Sequence, residues 1–361
     1  MKILFQLGRG GCLLDSFGRK IEYLRISVTE RCNLNCIYCK PDKNSEMIDK
    51  NEQNEQNEQS EQSEQKEENE QYKMNNQNSY KNMISPEEYG RIVHAMATAG
   101  IKKVRITGGE PLLRPDICEI IKAVSAVKRI DDISLTTNGI LLGKMALKLK
   151  EVGLKRVNIS LDSLRECSFK HITGSSCLDR VMEGIEKSLE AGLGPVKLNT
   201  VLIRGINDDE IDNIIGLAKE LPIDVRFIEL MPIGDFGEKN ADKIVYSSEI
   251  ISTRPYLKRL ENVKDRQPAE YYSIDGYNGR IGFISPMGHK FCKDCNRIRL
   301  TSDGKVRLCL GNNSEVDLMK VLKEKSEELD EFIKETVYSK PEGHNFEQSF
   351  SSDRNMNAIG G

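Results

Sequence analysis

Cys32, Cys36 and Cys39 lie in the run TERCNLNCIYCK, directly after a segment with the alternating pattern of a β-strand. Three thiolates at CxxxCxxC spacing can hold three irons of a [4Fe–4S] cluster, whereas an ordinary electron-transfer cluster takes four cysteines. The fourth iron would then be open to a small molecule, into which the cluster could deliver an electron. A zinc knuckle is the weaker alternative, because zinc takes four closed ligands and no histidine lies near this loop.

A second set of three cysteines lies near the other end of the chain, where Cys292 and Cys295 form a CxxC pair and Cys309 follows. His289 stands three residues before the pair, so a structural zinc site with one histidine and three cysteines is an open alternative. Two observations favour a second iron–sulfur cluster. The two arginines of the run NRIR, which follows the pair, suit an anionic or polar substrate, and three cysteines again leave an open iron.

A glycine motif, TGGEP at residues 107–111, follows the second strand-like segment. Glycines at a strand end let backbone carbonyls approach the ammonium group of a ligand without interference from side chains. Alone, such a motif also fits an ordinary turn. Its position one strand after the cysteine loop favours a ligand site that the two motifs share.

The elements that must position these motifs alternate between strand-like and helix-like segments. Ser85, Pro86 and Glu88 supply an N-cap, a first-turn proline and a capping-box glutamate, which predict a helix to about Ala99 that stops at Gly100. Long connections separate six strand-like segments: Tyr23–Thr29, Lys103–Thr107, Asp132–Thr137, Arg156–Leu161, Val196–Leu202 and Asp224–Glu229. The pattern predicts a parallel sheet of six βα units. An antiparallel sheet with one wet face is the alternative, but its hairpins need no long connections.

These strands alternate apolar and polar residues, although a parallel strand buried on both faces reads as a continuous apolar run. Arg25, Arg105 and Lys197 each stand between apolar neighbours. The apolar face must therefore meet the helices, while the polar face points at a common interior. A closed (β/α)8 barrel fills its interior with branched apolar side chains. The sequence instead predicts an α/β fold with an open, partial (β/α)6 barrel whose interior is lined for an anionic ligand.

Composition sets broader limits. The 361 residues suit one large domain and a smaller one, and 53 basic against 56 acidic side chains give no indication of nucleic-acid binding. No apolar run reaches the ~18 residues of a membrane span. Ten cysteines without a signal peptide predict a cytoplasmic protein in a reducing compartment. Residues 43–82 are rich in Asn, Gln and Glu and are predicted to form a disordered surface insertion.

Several runs together resemble the molybdenum cofactor biosynthesis protein A family, the GTP 3′,8-cyclases of the radical S-adenosylmethionine (SAM) superfamily. The matching runs are LRISVTERCNLNCIYC, VRITGGEPLLR, ISLTTNG, VNISLD, IRGINDDE, VRFIELMP, FCKDCNRIRLTSDG and the terminal IGG. The CxxxCxxC spacing identifies only the superfamily, whereas the second cysteine block with the Gly-Gly terminus is far more specific. The resemblance covers residues 15–361 apart from the insertion.

The resemblance implies a role for each matching position. Two [4Fe–4S] clusters would be held by the two cysteine sets: Cys32, Cys36 and Cys39 for the cluster that binds SAM, and Cys292, Cys295 and Cys309 for the cluster that binds the purine of GTP. SAM contacts are implied for Tyr38, Gly109, Ser160 and Met231. GTP contacts are implied for Arg25, Arg105, Thr136, Lys197, Arg297, Ile298 and Arg299, with catalytic roles for Arg25, Arg297 and Arg299. The cations inferred from strand alternation are thus among those that the resemblance assigns to GTP.

The implied reaction converts GTP to (8S)-3′,8-cyclo-7,8-dihydroguanosine 5′-triphosphate, the first step of molybdenum cofactor biosynthesis. The resemblance also implies a one-electron reductant, a homodimer and a downstream cyclic pyranopterin monophosphate synthase, with no membrane or nucleic-acid partner. The predicted domains are an N-terminal extension (1–14), the barrel (15–240), a smaller α+β domain with the second cluster (241–338) and a tail (339–361). The tail resembles one that reaches the active site; a frayed terminus is the alternative.

Two other functions stay open on the sequence alone. Another radical SAM enzyme with an auxiliary cluster, such as a peptide-modifying one, would share the first cysteine loop but usually carries more cysteines in its C-terminal region. A non-catalytic iron–sulfur or zinc protein that acts as a sensor would not cleave SAM under reducing conditions.

Overall fold

The structure is a computed structural model, in which residues 7–8, 12–39, 83–261, 268–288, 291–344, 346 and 351–360 are described. The predicted insertion at 43–82 lies outside the described residues, as do His289 and Gly361.

The described residues form strands β1 to β14 and helices α1 to α11, numbered in chain order. The strands are Leu7–Gly8, Cys12–Leu13, Tyr23–Ser27, Lys103–Thr107, Asp132–Thr137, Arg156–Ser160, Lys197–Leu202, Asp224–Glu229, Lys258–Arg259, Ala269–Ser273, Arg280–Ile284, Arg297–Leu300, Lys305–Arg307 and Glu315–Asp317. The helices are Pro86–Thr98, Ile117–Ser125, Leu142–Glu151, Glu166–Thr173, Leu178–Glu190, Ile211–Glu220, Gly234–Lys239, Ser247–Ser252, Leu318–Glu324, Leu329–Tyr338 and Met356–Ile359.

The predicted parallel sheet is confirmed. Strands β3 to β8 pair in chain order, and every pairing among them is parallel. Their bounds match the six predicted segments to within two residues. Among the described strands the order is linear, so the sheet is open rather than a closed barrel.

Helix α1 also follows its prediction. The Ser85 hydroxyl accepts a hydrogen bond from the Glu88 backbone at 3.2 Å, and the Glu88 carboxylate accepts one from the Ser85 backbone at 2.8 Å. The helix ends at Thr98, where Ala99 is the C-cap, and Gly100 follows with φ of +111°. The chain thereby turns into β4, whose end carries the glycine motif.

The C-terminal region extends this sheet at both ends, which the sequence did not predict. Strand β12 pairs in parallel with β3, and β11 pairs in parallel with β8, so eight strands in a row are parallel. Short antiparallel strands complete the two edges. Strand β12 follows the second CxxC pair directly, so the second cysteine set lies beside the first barrel strand. The domain division at residue 240 stays a prediction, and the sheet runs across it.

The alternation along the strands separates core from interior as predicted. Leu24, Ile26 and Val104 are fully buried in the hydrophobic core. Arg25 and Arg105, which alternate with them, line an internal cavity on the other face of the sheet. The fold thus presents cations to one enclosed space.

Candidate active site

A cavity of about 790 Å³ occupies the concave side of the sheet, within the usual size of a small-molecule site. Most of the predicted site residues line it: Arg25, Cys32, Cys36, Tyr38, Cys39, Arg105, Gly109, Thr136, Ser160, Lys197, Met231, Arg297 and Arg299. Ile298 does not, because its side chain is fully buried in the hydrophobic core on the opposite face of β12. Any contact from Ile298 to a ligand would have to come from its backbone.

The first cysteine triad (Cys32, Cys36 and Cys39) sits on a loop that the neighbouring helix holds in place. The backbone of Asn35 donates to the Thr173 carbonyl at 2.8 Å, and that of Ile37 donates to the Ile172 carbonyl at 2.9 Å. These carbonyls belong to the last turn of α4, where they have no intrahelical partner. These hydrogen bonds anchor the loop to the end of α4 and hold the three thiols at the cavity wall.

The donor set of this triad fits an iron–sulfur cluster. Burial raises the pKa of the Cys36 thiol and raises that of Cys39 to about 12. A bound metal removes such protons outright, because it stabilises the thiolate. Within the described ranges, no three His, Cys, Asp or Glu side chains are grouped tightly enough for a single metal ion. A four-iron cluster is larger than one ion and takes thiolates that stand farther apart.

The two glycines of the TGGEP motif are required by the cysteine loop itself. A Cβ on Gly109 would lie 2.3 Å from the Arg31 carbonyl oxygen, and one on Gly108 would lie 2.4 Å from that of Thr29. The backbone of Gly109 donates to the Thr29 carbonyl at 2.8 Å. The motif therefore docks the start of the cysteine loop by close backbone contact and also lines the cavity.

We expect Gly109→Ala to impair SAM binding severely, because the methyl group would push the cysteine loop away from β4. Equilibrium binding of SAM to the reconstituted protein measures the effect. Gly216→Ala is the matched control, since its Cβ would meet nothing within 4 Å on helix α6 and alanine favours a helix by up to ~1 kcal/mol over glycine. Equal SAM affinity in the two variants would contradict the docking role.

Glu110 is a site residue for which the sequence predicted no role. It is fully buried, and burial raises its pKa to about 7. Its carboxylate accepts hydrogen bonds from the Thr137 hydroxyl at 2.8 Å and the Asn138 backbone at 2.7 Å. The Asn138 amide in turn donates to Asn33 at 2.8 Å. Glu110 thus connects the ends of β4 and β5 to the cysteine loop. Its position in the TGGEP motif could have identified it as a site residue.

Tyr38 and Asp162 make a second tie across the site. The Tyr38 hydroxyl donates to the Asp162 carboxylate at 2.5 Å, and the Val201 backbone donates to the other carboxylate oxygen at 2.8 Å. Burial raises the pKa of Asp162 to about 6. Asp162 follows β6 and also lines the cavity, but no spacing rule pointed to it.

Three of the predicted cations form a row across neighbouring strands. The register places Arg299 beside Arg25, and Arg25 beside Arg105, at the ~4.8 Å spacing of adjacent strands. Burial lowers the pKa of all three, to about 10 for Arg105 and Arg299, and repulsion from Arg299 and Arg105 lowers that of Arg25 further. Like charges this close are unfavourable without an anion between them, so the row is built for an anionic ligand.

Two polar atoms near this row are also poised for a ligand. The Thr136 hydroxyl and the Arg297 Nε are buried, and neither has a hydrogen-bond partner within the described part of the chain. Buried polar groups are normally satisfied. A bound polar molecule would supply the missing partners.

Four further cations, which the sequence did not predict, also line the cavity: Lys103, Arg156, Arg226 and Arg280. Arg156 pairs with Asp132, and Arg280 pairs with Asp224 at 2.8 Å. Arg226 donates to the Asn158 side chain at 2.6 Å, but its Nε has no partner among the described residues. Arg226 lies in β8, where the run VRFIE alternates apolar and polar residues as the run around Arg25 does. That alternation could have predicted that Arg226 faces the cavity.

The second cysteine triad (Cys292, Cys295 and Cys309) does not itself line the cavity, but Phe291, Asn296 and Leu310, each next to one of these cysteines, do. Cys292 and Cys295 share a tight turn, closed by a 3.1 Å backbone hydrogen bond, and the β12–β13 pairing brings Cys309 close in the fold. Burial raises the pKa of Cys295, but the charges of Arg297 and Lys340 outweigh it and lower the pKa to about 7. Such a thiol readily becomes the thiolate that a cluster needs.

The C-terminal tail reaches this site, so a frayed terminus is excluded for the part that is described. Arg299 donates to the Gly360 carbonyl oxygen. A Cβ on Gly360 would lie 2.6 Å from the Thr107 side chain. Asn357 donates to the Glu30 carbonyl at 3.0 Å and lines the cavity. The tail therefore lies between the arginine row and the first cysteine loop.

An open parallel sheet with a CxxxCxxC loop after its first barrel strand defines a radical SAM enzyme. The family model of the radical SAM superfamily matches residues 26–218, and that of molybdenum cofactor synthesis C matches residues 223–346. As a radical SAM enzyme, the protein uses a [4Fe–4S] cluster and SAM.

Curated relatives then identify the family. The chain is 43% identical to the GTP 3′,8-cyclase of Alkaliphilus oremlandii, over 96% of this chain and 99% of that protein. It is 44% identical to the GTP 3′,8-cyclase of Clostridium botulinum, strain Langeland, over 97% of this chain and all of that protein. The chain belongs to the GTP 3′,8-cyclase family.

A solved structure supports the fold alone. SuiB of Streptococcus suis, bound to S-adenosylmethionine, aligns with 88% of this chain and 67% of its own, with a TM-score of 0.54 and 16% identity.

No helix among the described residues is long and apolar enough to cross a membrane.

Proposed function

We propose that the enzyme converts GTP to (8S)-3′,8-cyclo-7,8-dihydroguanosine 5′-triphosphate, the first step of molybdenum cofactor biosynthesis. One observation carries the proposal: a single cavity joins the first cysteine triad to a row of three arginines on adjacent strands. When bound, the cluster and SAM would supply, with one electron from a reductant, a 5′-deoxyadenosyl radical able to remove hydrogen from C3′ of GTP. Bond formation between C3′ and C8, followed by one further electron and a proton, would then give the 7,8-dihydro product.

The residues near the first triad would hold and orient SAM. Gly109, Ser160 and Met231 lie along the cavity wall at the ends of three strands, where ligands of parallel sheets bind. Tyr38 is fixed by Asp162 and so presents a rigid surface to the ligand. Positioning is the main contribution that the protein makes to cofactor chemistry.

The cations on the interior face would hold the triphosphate and guanine of GTP. Arg25, Arg105 and Arg299 form the row described above, while Lys197 lies across the sheet, 3.4 Å from Asp224. Arginines clamp phosphate oxygens in a fixed fork. This arrangement would hold C3′ toward the SAM site and exclude water, which protects a radical from side reactions.

Other parts of the proposal rest on family membership rather than on contacts in this chain. They are a second [4Fe–4S] cluster on the second triad, a one-electron reductant, a homodimer, a cytoplasmic location and a downstream cyclic pyranopterin monophosphate synthase. The low pKa of Cys295 supports the second cluster. The division into domains at residues 14, 240 and 338 is likewise a proposal.

GTP binding is expected to depend on pH through Lys197. Burial, and then the nearby charge of Arg226, lower the pKa of Lys197 to about 7. The ammonium charge is present below that pH and lost above it, so affinity for the triphosphate falls as pH rises. We expect up to about tenfold weaker binding per pH unit above about pH 7, because one pKa unit equals 1.36 kcal/mol, until the ammonium group also loses its proton in the complex.

Equilibrium dialysis of GTP at several pH values measures this dependence. Lys197→Arg is the matched variant, because an arginine keeps its charge over the whole range. The variant should bind GTP with little change across the range. A wild-type affinity that is equally flat would show that Lys197 does not contribute charge to the site.

The function itself is tested by the ligand dependence of SAM cleavage. Anaerobically reconstituted enzyme with SAM and a strong reductant should form 5′-deoxyadenosine and the cyclised nucleotide with GTP, and little of either product with ATP. SuiB of Streptococcus suis, which shares this fold, has been solved bound to a precursor peptide, so a peptide library tests the peptide-modifying alternative. Cleavage stimulated by peptide and not by GTP would overturn the proposal.

A further inference from the structure

Lys340 is a buried cation beside the second cysteine triad. It follows helix α10 and is 2% exposed. Its ammonium group donates to the carbonyl oxygen of Arg297 at 2.9 Å and to that of Leu308. No carboxylate in the described part of the chain forms an ion pair with it.

These two carbonyls belong to the segments that carry the cysteines. Arg297 lies two residues after Cys295, and Leu308 comes directly before Cys309. The Lys340 side chain therefore joins the start of β12 to the end of β13 and lies close to both thiols. Burial lowers the pKa of Lys340, and the negative charge that Cys295 and Cys309 would carry as cluster ligands opposes that shift.

Arg19 makes a similar contact on the other side of the triad but differs in charge balance. Its guanidinium donates to the Cys292 carbonyl oxygen at 2.9 Å and forms an ion pair with Asp15 at 2.6 Å. Asp15 neutralises Arg19, whereas Lys340 has no such partner among the described residues. An unpaired buried ion costs roughly several kcal/mol, so a protein retains one where another charge compensates it.

We propose that Lys340 is the counter-ion of the iron–sulfur cluster held by the second triad, and that its charge makes this cluster easier to reduce. The inference rests on the proposed second cluster. Net charge and hydrogen bonds around a cluster set its reduction potential. A fixed positive charge favours the reduced state, which carries one more electron. Lys340 is thus a positioning and tuning residue, since it acts through the cluster.

Lys340→Gln tests this inference, because glutamine keeps donors for the two carbonyls and removes the charge. Redox titration of the reconstituted enzyme, followed by electron paramagnetic resonance, measures the potential. The signal absent from Cys292→Ser identifies the second cluster. We expect Lys340→Gln to disfavour reduction about tenfold, which is 59 mV for one electron. Lys340→Arg keeps the charge and should have the wild-type potential. Lys320→Gln, which removes an exposed lysine, should also leave the potential unchanged.

The outcomes separate the inference from the proposed function. Wild-type protein that holds only one cluster would contradict the proposed second cluster itself. A loaded Lys340→Gln enzyme with the wild-type potential would overturn the role of Lys340. Lys340→Gln apoprotein that is less stable than wild-type apoprotein would also overturn the tuning role, because the side chain would then be needed for folding. A variant that folds normally but fails to load the second cluster would support the need for charge.

Discussion

Cys36→Ser should abolish SAM cleavage, with no 5′-deoxyadenosine above background. A serine hydroxyl is a poor substitute for the thiolate that an iron–sulfur cluster takes, and without the first cluster no electron can enter SAM. The variant should also lose about half of the iron if each triad holds one cluster. Iron analysis and mass spectrometry of the reaction products measure both effects.

Two matched cysteine variants define this result. Cys177→Ser changes a cysteine outside both triads, whose sulfur lies 3.1 Å from the Ser175 hydroxyl, and should keep iron and activity. Cys292→Ser should lose the other half of the iron and all cyclisation, while some SAM cleavage remains. Full iron in Cys292→Ser would remove the second cluster from the account.

Arg299→Gln should weaken GTP binding by about 10- to 150-fold. The estimate follows from the ~1.5–3 kcal/mol of a hydrogen bond to a charged group and the usual conversion of free energy to affinity. The variant should keep its iron, because the Arg299 side chain lines the cavity and donates to the Gly360 carbonyl rather than to a cysteine. Turnover at low GTP should fall in parallel. Binding of GTP and iron content are measured on the same preparation.

Arg259→Gln is the matched control for this prediction. Arg259 is an exposed arginine on the edge strand β9, paired with Glu270 at 3.0 Å, and surface pairs of this kind contribute little. Its loss should leave GTP binding unchanged. Iron lost from Arg299→Gln in proportion to its activity would assign Arg299 to cluster assembly and count against a substrate contact.

The barrel could be predicted from the sequence because its signals are local. Alternation of Arg25 with Leu24 and Ile26 showed which face meets helices and which face meets a ligand. The capping residues of α1 likewise marked its start within a few positions. Such patterns depend on periodicity and on side-chain chemistry, which neighbouring residues alone determine.

The rest of the site depends on contacts between distant segments. Nothing in the sequence near Arg280 or Arg297 shows that β11 and β12 join opposite ends of the barrel sheet. Parallel pairing between remote strands leaves no short-range signal. Ile298 shows the same limit at residue level, because a family motif names it while the strand alternation turns its side chain into the core. Glu110 and Asp162 hydrogen-bond to site residues that are distant in sequence and become neighbours only in the folded chain.

The central claim is that the radical formed at the first triad attacks C3′ of GTP in the shared cavity. The most direct measurement uses anaerobically reconstituted enzyme, SAM, a strong reductant and GTP deuterated at C3′, with mass spectrometry of the 5′-deoxyadenosine formed. The account predicts that this product carries deuterium. Product formed without deuterium, from protein with both triads loaded, would contradict it.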